Sequence, residues 1–173
     1  MSGSSKNNFR EVWQRGPVKN IPTLLQPIAH ALLQAGEDAE KHTGNMDNKN
    51  LWEKPGGVAS VGFHLQHIVG VLDRLFTYAE GNALNDVQLE FLKKEGNPGN
   101  EAIDSGKLLQ GVRDKIQEVL GMLEGTDVAS LTAIRYLGRA KIETTKMGLL
   151  FHAAEHVQRH IGQLLVTAKW VSQ

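Results

Sequence analysis

Leu149-Leu150-Phe151-His152-Ala153-Ala154-Glu155-His156-Val157-Gln158-Arg159-His160-Ile161-Gly162-Gln163-Leu164-Leu165 reads as one continuous helix. Leu150, Ala154, Val157, Ile161, Leu164 and Ala168 recur at helical spacing and give it an apolar stripe. His152, His156 and His160 are four apart, so they stack one above another along the helix. On a helical wheel His156 and His160 sit on the flank of the stripe, and His152 lies further toward the polar side. Two imidazoles four apart beside a buried face can reach one metal ion when a facing helix adds a third ligand. The competing reading is a surface ladder with one core histidine satisfied by a hydrogen bond.

Three further segments carry helical stripes. Leu24, Leu25, Ile28, Leu32, Ala35 and Ala39 mark a first helix that starts near Ile21 or Thr23 and ends at His42-Thr43-Gly44, with Pro27 either near its first turn or bending it. Asn45 to Gly57 reads as a loop or short turn in which Trp52 plugs the end of the core. Ser60 is a good N-cap for a second helix that runs to about Gly81, with Val61, Leu65, Ile68, Leu72, Leu75 and Ala79 as its seam. Asp73 and Arg74 fall on the polar part of that wheel and read as a solvated pair.

Asn82 to Asn100 is a long connection, with a helical turn expected around Leu84, Val87, Leu89 and Phe91 and a break at Asn97-Pro98-Gly99-Asn100. A third helix begins between Glu101 and Lys107 and ends at Gly125, striped by Leu108, Leu109, Val112, Ile116, Val119, Leu120 and Leu123. Thr132 to Thr144 alternates instead, which predicts a short extended segment or hairpin ahead of the last helix, close to the mouth of a site built on that helix. Thr144 or Thr145 then caps that helix, which runs nearly to Ser172. The expected fold is all-α, an antiparallel four-helix bundle with a long crossover connection. Residues 1–19 read as an N-terminal arm with Phe9, Val12 and Trp13 as docking points, and residues 20–173 as the bundle domain.

Composition narrows the function. Lys plus Arg and Asp plus Glu both count 19, so there is no electrostatic case for a nucleic-acid or anionic-membrane partner. The 173 residues include no cysteine, which excludes disulfides, thiolate metal sites and cysteine nucleophiles. Met1 to Asn8 is polar and lacks the apolar core of a signal peptide, and no apolar run reaches membrane-spanning length. A cytoplasmic protein is expected.

The second helix offers the missing ligand, since His64 and His67 both flank its seam. If the second and fourth helices face each other, three imidazoles can surround one ion and leave at least one position open, as in catalytic zinc sites. Periodicity alone favours His64, which is nearer the seam.

Ser60-Val61-Gly62-Phe63-His64-Leu65-Gln66-His67-Ile68-Val69, followed by His156-Val157-Gln158-Arg159-His160-Ile161-Gly162-Gln163, resembles the DinB/YfiT-like superfamily of bundle metalloproteins. That family has a histidine just before an aliphatic pair on its second helix, and a His-x-x-x-His followed by Gly-Gln on its last. The resemblance spans about Pro22 to Trp170. It implies metal ligation by His67, His156 and His160, with zinc or nickel as the divalent transition metal, and a homodimer. It also implies a small-molecule substrate, such as a low-molecular-weight thiol.

His64 then becomes either a partner that orients a ligand or a plain core-edge residue. Candidate catalytic assistants are His64, Glu155 and Gln163. A competing motif overlaps the site: His152-Ala153-Ala154-Glu155-His156 spells the H-x-x-E-H of inverted zinc proteases, with Glu155 as base. That reading leaves His67 and His160 without roles. The two function classes to be separated are a metal-dependent hydrolase or thiol S-transferase and a metal-containing binding or stress-response protein without turnover.

Overall fold

A computed structural model describes residues 10–98 and 103–173. Among them are six α-helices: α1 (Gln26–Thr43), α2 (Asn48–Trp52), α3 (Val61–Ala79), α4 (Asp86–Lys94), α5 (Ser105–Glu124) and α6 (Lys146–Val171). A two-stranded antiparallel hairpin, β1 (Ile134–Leu137) with β2 (Ile142–Thr145), precedes α6 and pairs Ile134 with Thr145 and Leu137 with Ile142. The expected bundle and hairpin are both present. Phe9, an expected docking point, lies outside the described residues.

Local chemistry sets the helix starts. Asp47, Ser60, Asn85, Asp104 and Thr145 each accept a hydrogen bond from a backbone N–H in the first turn of α2, α3, α4, α5 and α6 respectively. Each such cap satisfies one of the donors that a helix N-terminus leaves unpaired and contributes about 1 kcal/mol. Pro27 sits in the first turn of α1, where its missing N–H costs nothing.

The four long helices bury their stripes in one core, in which Leu25, Leu32, Leu65, Ile68, Leu72, Leu109, Leu123, Leu150, Ile161 and Leu164 are inaccessible or nearly so. Each long helix packs on two others: α3 on α6 and α5, and α1 on α6 and α5. Cross-helix pairs give the directions. Glu40 meets Arg113 while Gly36 faces Ile116, so α1 and α5 are antiparallel. Val69 faces Gly111 and Asp73 lies 2.9 Å from Lys115, so α3 and α5 are parallel, which the long 80–104 connection makes possible. His64 meets His160 while Glu80 lies 2.9 Å from Lys146, so α3 and α6 are antiparallel. It follows that α1 and α6 run parallel, and Gln158 of α6 donates to the Ala31 carbonyl of α1. The order is up, down, down, up.

Several local expectations are corrected. Asn45 to Gly57 holds a helix, α2, and a 3-10 turn at Pro55–Gly57. The turn expected near Phe91 is a nine-residue helix, α4. Asp73 and Arg74 are not a solvated pair: Arg74 is 8% exposed and ion-paired with Glu95, while Asp73 accepts from Lys115 and Gln88. The polar wheel position of Arg74 is covered by the chain after α4, which periodicity does not register. Residues 10–15 lie against α1, with the Val12 N–H donating to Gln34 and Arg15 paired with Glu37. Trp52 covers the start of α3, its ring so close over Gly62 that a Cβ there would meet it at 2.6 Å.

The hairpin sits at the end of α3, where Arg135 donates to the Ala79 carbonyl at 2.6 Å. It is not at the mouth of the histidine site. His156 is ten positions into α6 from Lys146, roughly 15 Å at ~1.5 Å per residue. No helix among the described residues is long and apolar enough to cross a membrane.

Candidate metal centre

The antiparallel pairing of α3 and α6 brings His67 opposite His156 and His160. The Nε2 of His156 lies 3.1 Å from the Nε2 of His67 and 3.1 Å from the Nε2 of His160. One ligand atom from each of the three residues falls within 4.8 Å of the other two, and all three residues are half-buried. Phe63 stacks on the His67 ring at 5.2 Å between centroids and 13° between planes, which fixes how that imidazole is presented.

His64 is also at the site but faces differently. It is 3% exposed, and its Nδ1 lies 3.0 Å from the Nδ1 of His160, on the side of that ring away from His156. Its position nearer the seam, read correctly from the wheel, puts it behind the cluster rather than in it. His67 is the α3 histidine whose Nε2 reaches the pair on α6.

The outer edges of the rings decide where the protons sit. His67 Nδ1 is 2.6 Å from Glu95 Oε2, and Arg74 donates to Glu95 Oε1 at 2.6 Å. A carboxylate paired with a guanidinium is an acceptor only, so His67 Nδ1–H donates, which in the neutral ring leaves the Nε2 lone pair facing the cluster. Either Nδ1 of the His64–His160 pair can be the donor. With the proton on His160, its Nε2 lone pair also points inward. The His156 Nδ1 is buried without a hydrogen-bond partner. Burial pushes His160 down to about 3, helped by the charges of His67, His156, His64 and Arg159. Burial, with His67 next, pushes His64 down to about 4. Burial also lowers His156. His64, His156 and His160 are therefore neutral near pH 7, the form that ligates a metal.

These residues fit a divalent transition ion. Nitrogens bound at about 2.0–2.1 Å around a tetrahedral ion lie about 3.3 Å apart, close to the separations found between the Nε2 atoms. Lone pairs converging at that distance repel one another unless a cation or a proton lies between them.

The overlapping H-x-x-E-H residues are close as well: His152, Glu155 and His156 also offer ligand atoms within 4.8 Å of one another. There, however, Arg159 holds both Glu155 oxygens, at 3.0 and 2.7 Å, and His152 Nδ1 donates to Oε1 at 2.7 Å. Burial raises the Glu155 carboxyl, but the bond from His152 and the charge of Arg159 outweigh it and hold the group below its usual range. A guanidinium on the carboxylate opposes a second cation. Gln163 is exposed. His30 belongs elsewhere, donating to the Gly16 carbonyl at 3.0 Å beside an open groove between residues 10–15, α1 and α5, a groove lined by none of the clustered histidines.

Glu95 and Arg74 are the site residues that sequence reasoning missed. Glu95 lies in an irregular connection where no periodicity points inward. The available signal was indirect: an arginine seven residues, about two turns, beyond His67, which needs an acid if it is covered. A sequence profile of the DinB superfamily matches residues 31–164, a span that contains all of these groups. No curated protein matches the chain.

Proposed function

This chain belongs to the DinB superfamily, and from that premise we propose that it is a metal-dependent enzyme whose ion is held by His67, His156 and His160. The observation that carries this reading is the meeting of three Nε2 atoms, two of them 3.1 Å from the third, with the His67 N–H turned outward to Glu95. Zinc or nickel suits an all-imidazole set. Three protein ligands leave a coordination position for water or substrate. Such an ion, when bound, supplies Lewis acidity to a carbonyl, a water or a thiol. The reaction class that follows is hydrolysis, or S-transfer from a low-molecular-weight thiol to a small electrophile. Glu155 is taken up by Arg159 and Gln163 is exposed, so neither enters this proposal as a base.

The protein's own part is to hold neutral rings in place and to limit water. Phe63 covers one face of His67, and the buried His64 backs His160. A homodimer follows from the family resemblance and is part of the proposal. The test is metal analysis after reconstitution with zinc or nickel, followed by turnover assays. One ion per chain with loss of the ion in His67→Ala and His156→Ala supports the site. Retention of full metal content in both variants would overturn it. Thiol-dependent consumption of an electrophile, or ester hydrolysis without thiol, then assigns the class. A loaded protein inert in both assays is instead a metal-containing binding protein.

A further inference from the structure

Glu95 belongs to none of the four long helices, yet its side chain is only 4% exposed, less than the 16% of the His67 side chain it touches. Three features hold it there. Arg74 donates to Oε1, leaving Oε2 for the His67 Nδ1–H. Gly70, on the same face of α3 and between those two residues, leaves room for the carboxylate. A Cβ at Gly70 would lie 2.6 Å from Arg74 Nη1 and 2.9 Å from the Phe91 ring, and closer still to Glu95 Oε1. Gly96, which follows Glu95, has φ +81° and lies against Phe63, the ring stacked on His67. The face of α3 turned away from its apolar seam thus gives up a side chain at the place where the crossover connection inserts an acid.

We propose that Glu95 is a positioning residue of the metal centre, held by Arg74 over Gly70, that fixes the tautomer and ring orientation of His67 and strengthens its Nε2 as a donor. This rests on the reading that the histidine cluster binds an ion. A carboxylate on the far nitrogen of a ligating imidazole keeps the proton off the metal-facing atom and makes the ring more basic, and its loss typically weakens metal binding by about 10–100-fold. Both Glu95 oxygens are engaged away from the cluster, so it acts through His67.

The test is zinc affinity of the full chain, measured by competition with a chromophoric chelator, together with nitrogen-15 spectra of the imidazoles in metal-free protein. Glu95→Gln keeps the bond from Arg74 and removes the charge. Gly70→Ala changes no ionisable group but fills the space the carboxylate occupies. Both are expected to bind zinc about 10–100-fold more weakly while still saturating at one ion, and both should shift or lose the His67 Nδ1 proton signal seen in the parent. Parent-like affinity in both variants overturns the proposal. So does a loss in Glu95→Gln as deep as that in His67→Ala, which would make Glu95 a ligand. If the parent itself takes up no zinc, the metal reading has failed, and the metal-free spectra still decide the positioning role: a His67 proton on Nδ1 supports it, and one on Nε2 overturns it.

Discussion

His64 and His67 lie three residues apart on α3, and their opposite roles turn on which ring edge each presents. His67 offers Nε2 to His156, while His64 offers Nδ1 to the back of His160. His67→Ala is therefore expected to empty the site. His64→Ala should retain the ion with affinity reduced about 10–100-fold, and metal content after dialysis against a weak chelator distinguishes the two. If His64→Ala empties the site and His67→Ala does not, the assignment is reversed. The pair also marks what a sequence can disclose at this scale. Spacing puts both histidines beside the seam, but choosing between them by period favours the more buried one, and a ligand needs to be less buried than a core residue. Arg74 shows the other limit, because its polar wheel position says nothing about a carboxylate arriving from 21 residues downstream. Arg74→Met would leave Glu95 buried without its cation, and breaking such a pair typically costs about 3–5 kcal/mol. Urea unfolding of the metal-free variant measures that loss.

The long elements were legible because each carries several turns of stripe, and α3, α5 and α6 also have a capping residue where the stripe begins. The short ones were not. α2 has five residues and α4 nine, too few for periodicity to separate a helix from a loop. The hairpin was readable as an alternation, but not its location, because location depends on which ends of α3 and α6 meet. Arg135→Ala should remove the clip on the last turn of α3, at a cost of about 1 kcal/mol, and leave zinc affinity at the parent value. Weaker zinc binding in that variant would return the hairpin to the neighbourhood of the site. A second clip joins α5 to α3, where Lys115 lies 2.9 Å from Asp73 and 2.7 Å from Glu118. Burial lowers the lysine, but the bonds to Glu118 and Asp73 outweigh it, so its net shift is upward from 10.5. A raised lysine stabilises the fold fully below its unfolded value and loses that contribution as pH rises through the folded one. Thermal unfolding of the parent should therefore fall more between pH 9 and pH 11.5, roughly, than that of Lys115→Met.

At the scale of the molecule, a sequence with four stripes and one long crossover restricts the arrangement to a few bundles, and the family resemblance chose among the ligands. Neighbour relations came only with the structure, which sets α3 against α6 and makes α1 and α6 parallel. An ion bound only by the folded chain should raise the unfolding temperature. At ~100 times its dissociation constant it contributes about 2.7 kcal/mol, or roughly 5–10 °C for a domain of this size. Scanning calorimetry with zinc and with chelator reads that shift, which should vanish in His67→Ala. The pairing of α3 with α6 also bears on the path by which the chain folds. His64 meets His160 across 96 positions and His67 meets His156 across 89, so this seam carries the closure entropy of a long loop, which more local contacts avoid. Contacts of that separation are expected to form after the rate-limiting step, and an ion bound there acts on the return barrier alone. Stopped-flow measurements should find that zinc slows unfolding by nearly the full equilibrium gain and leaves the refolding rate where it was.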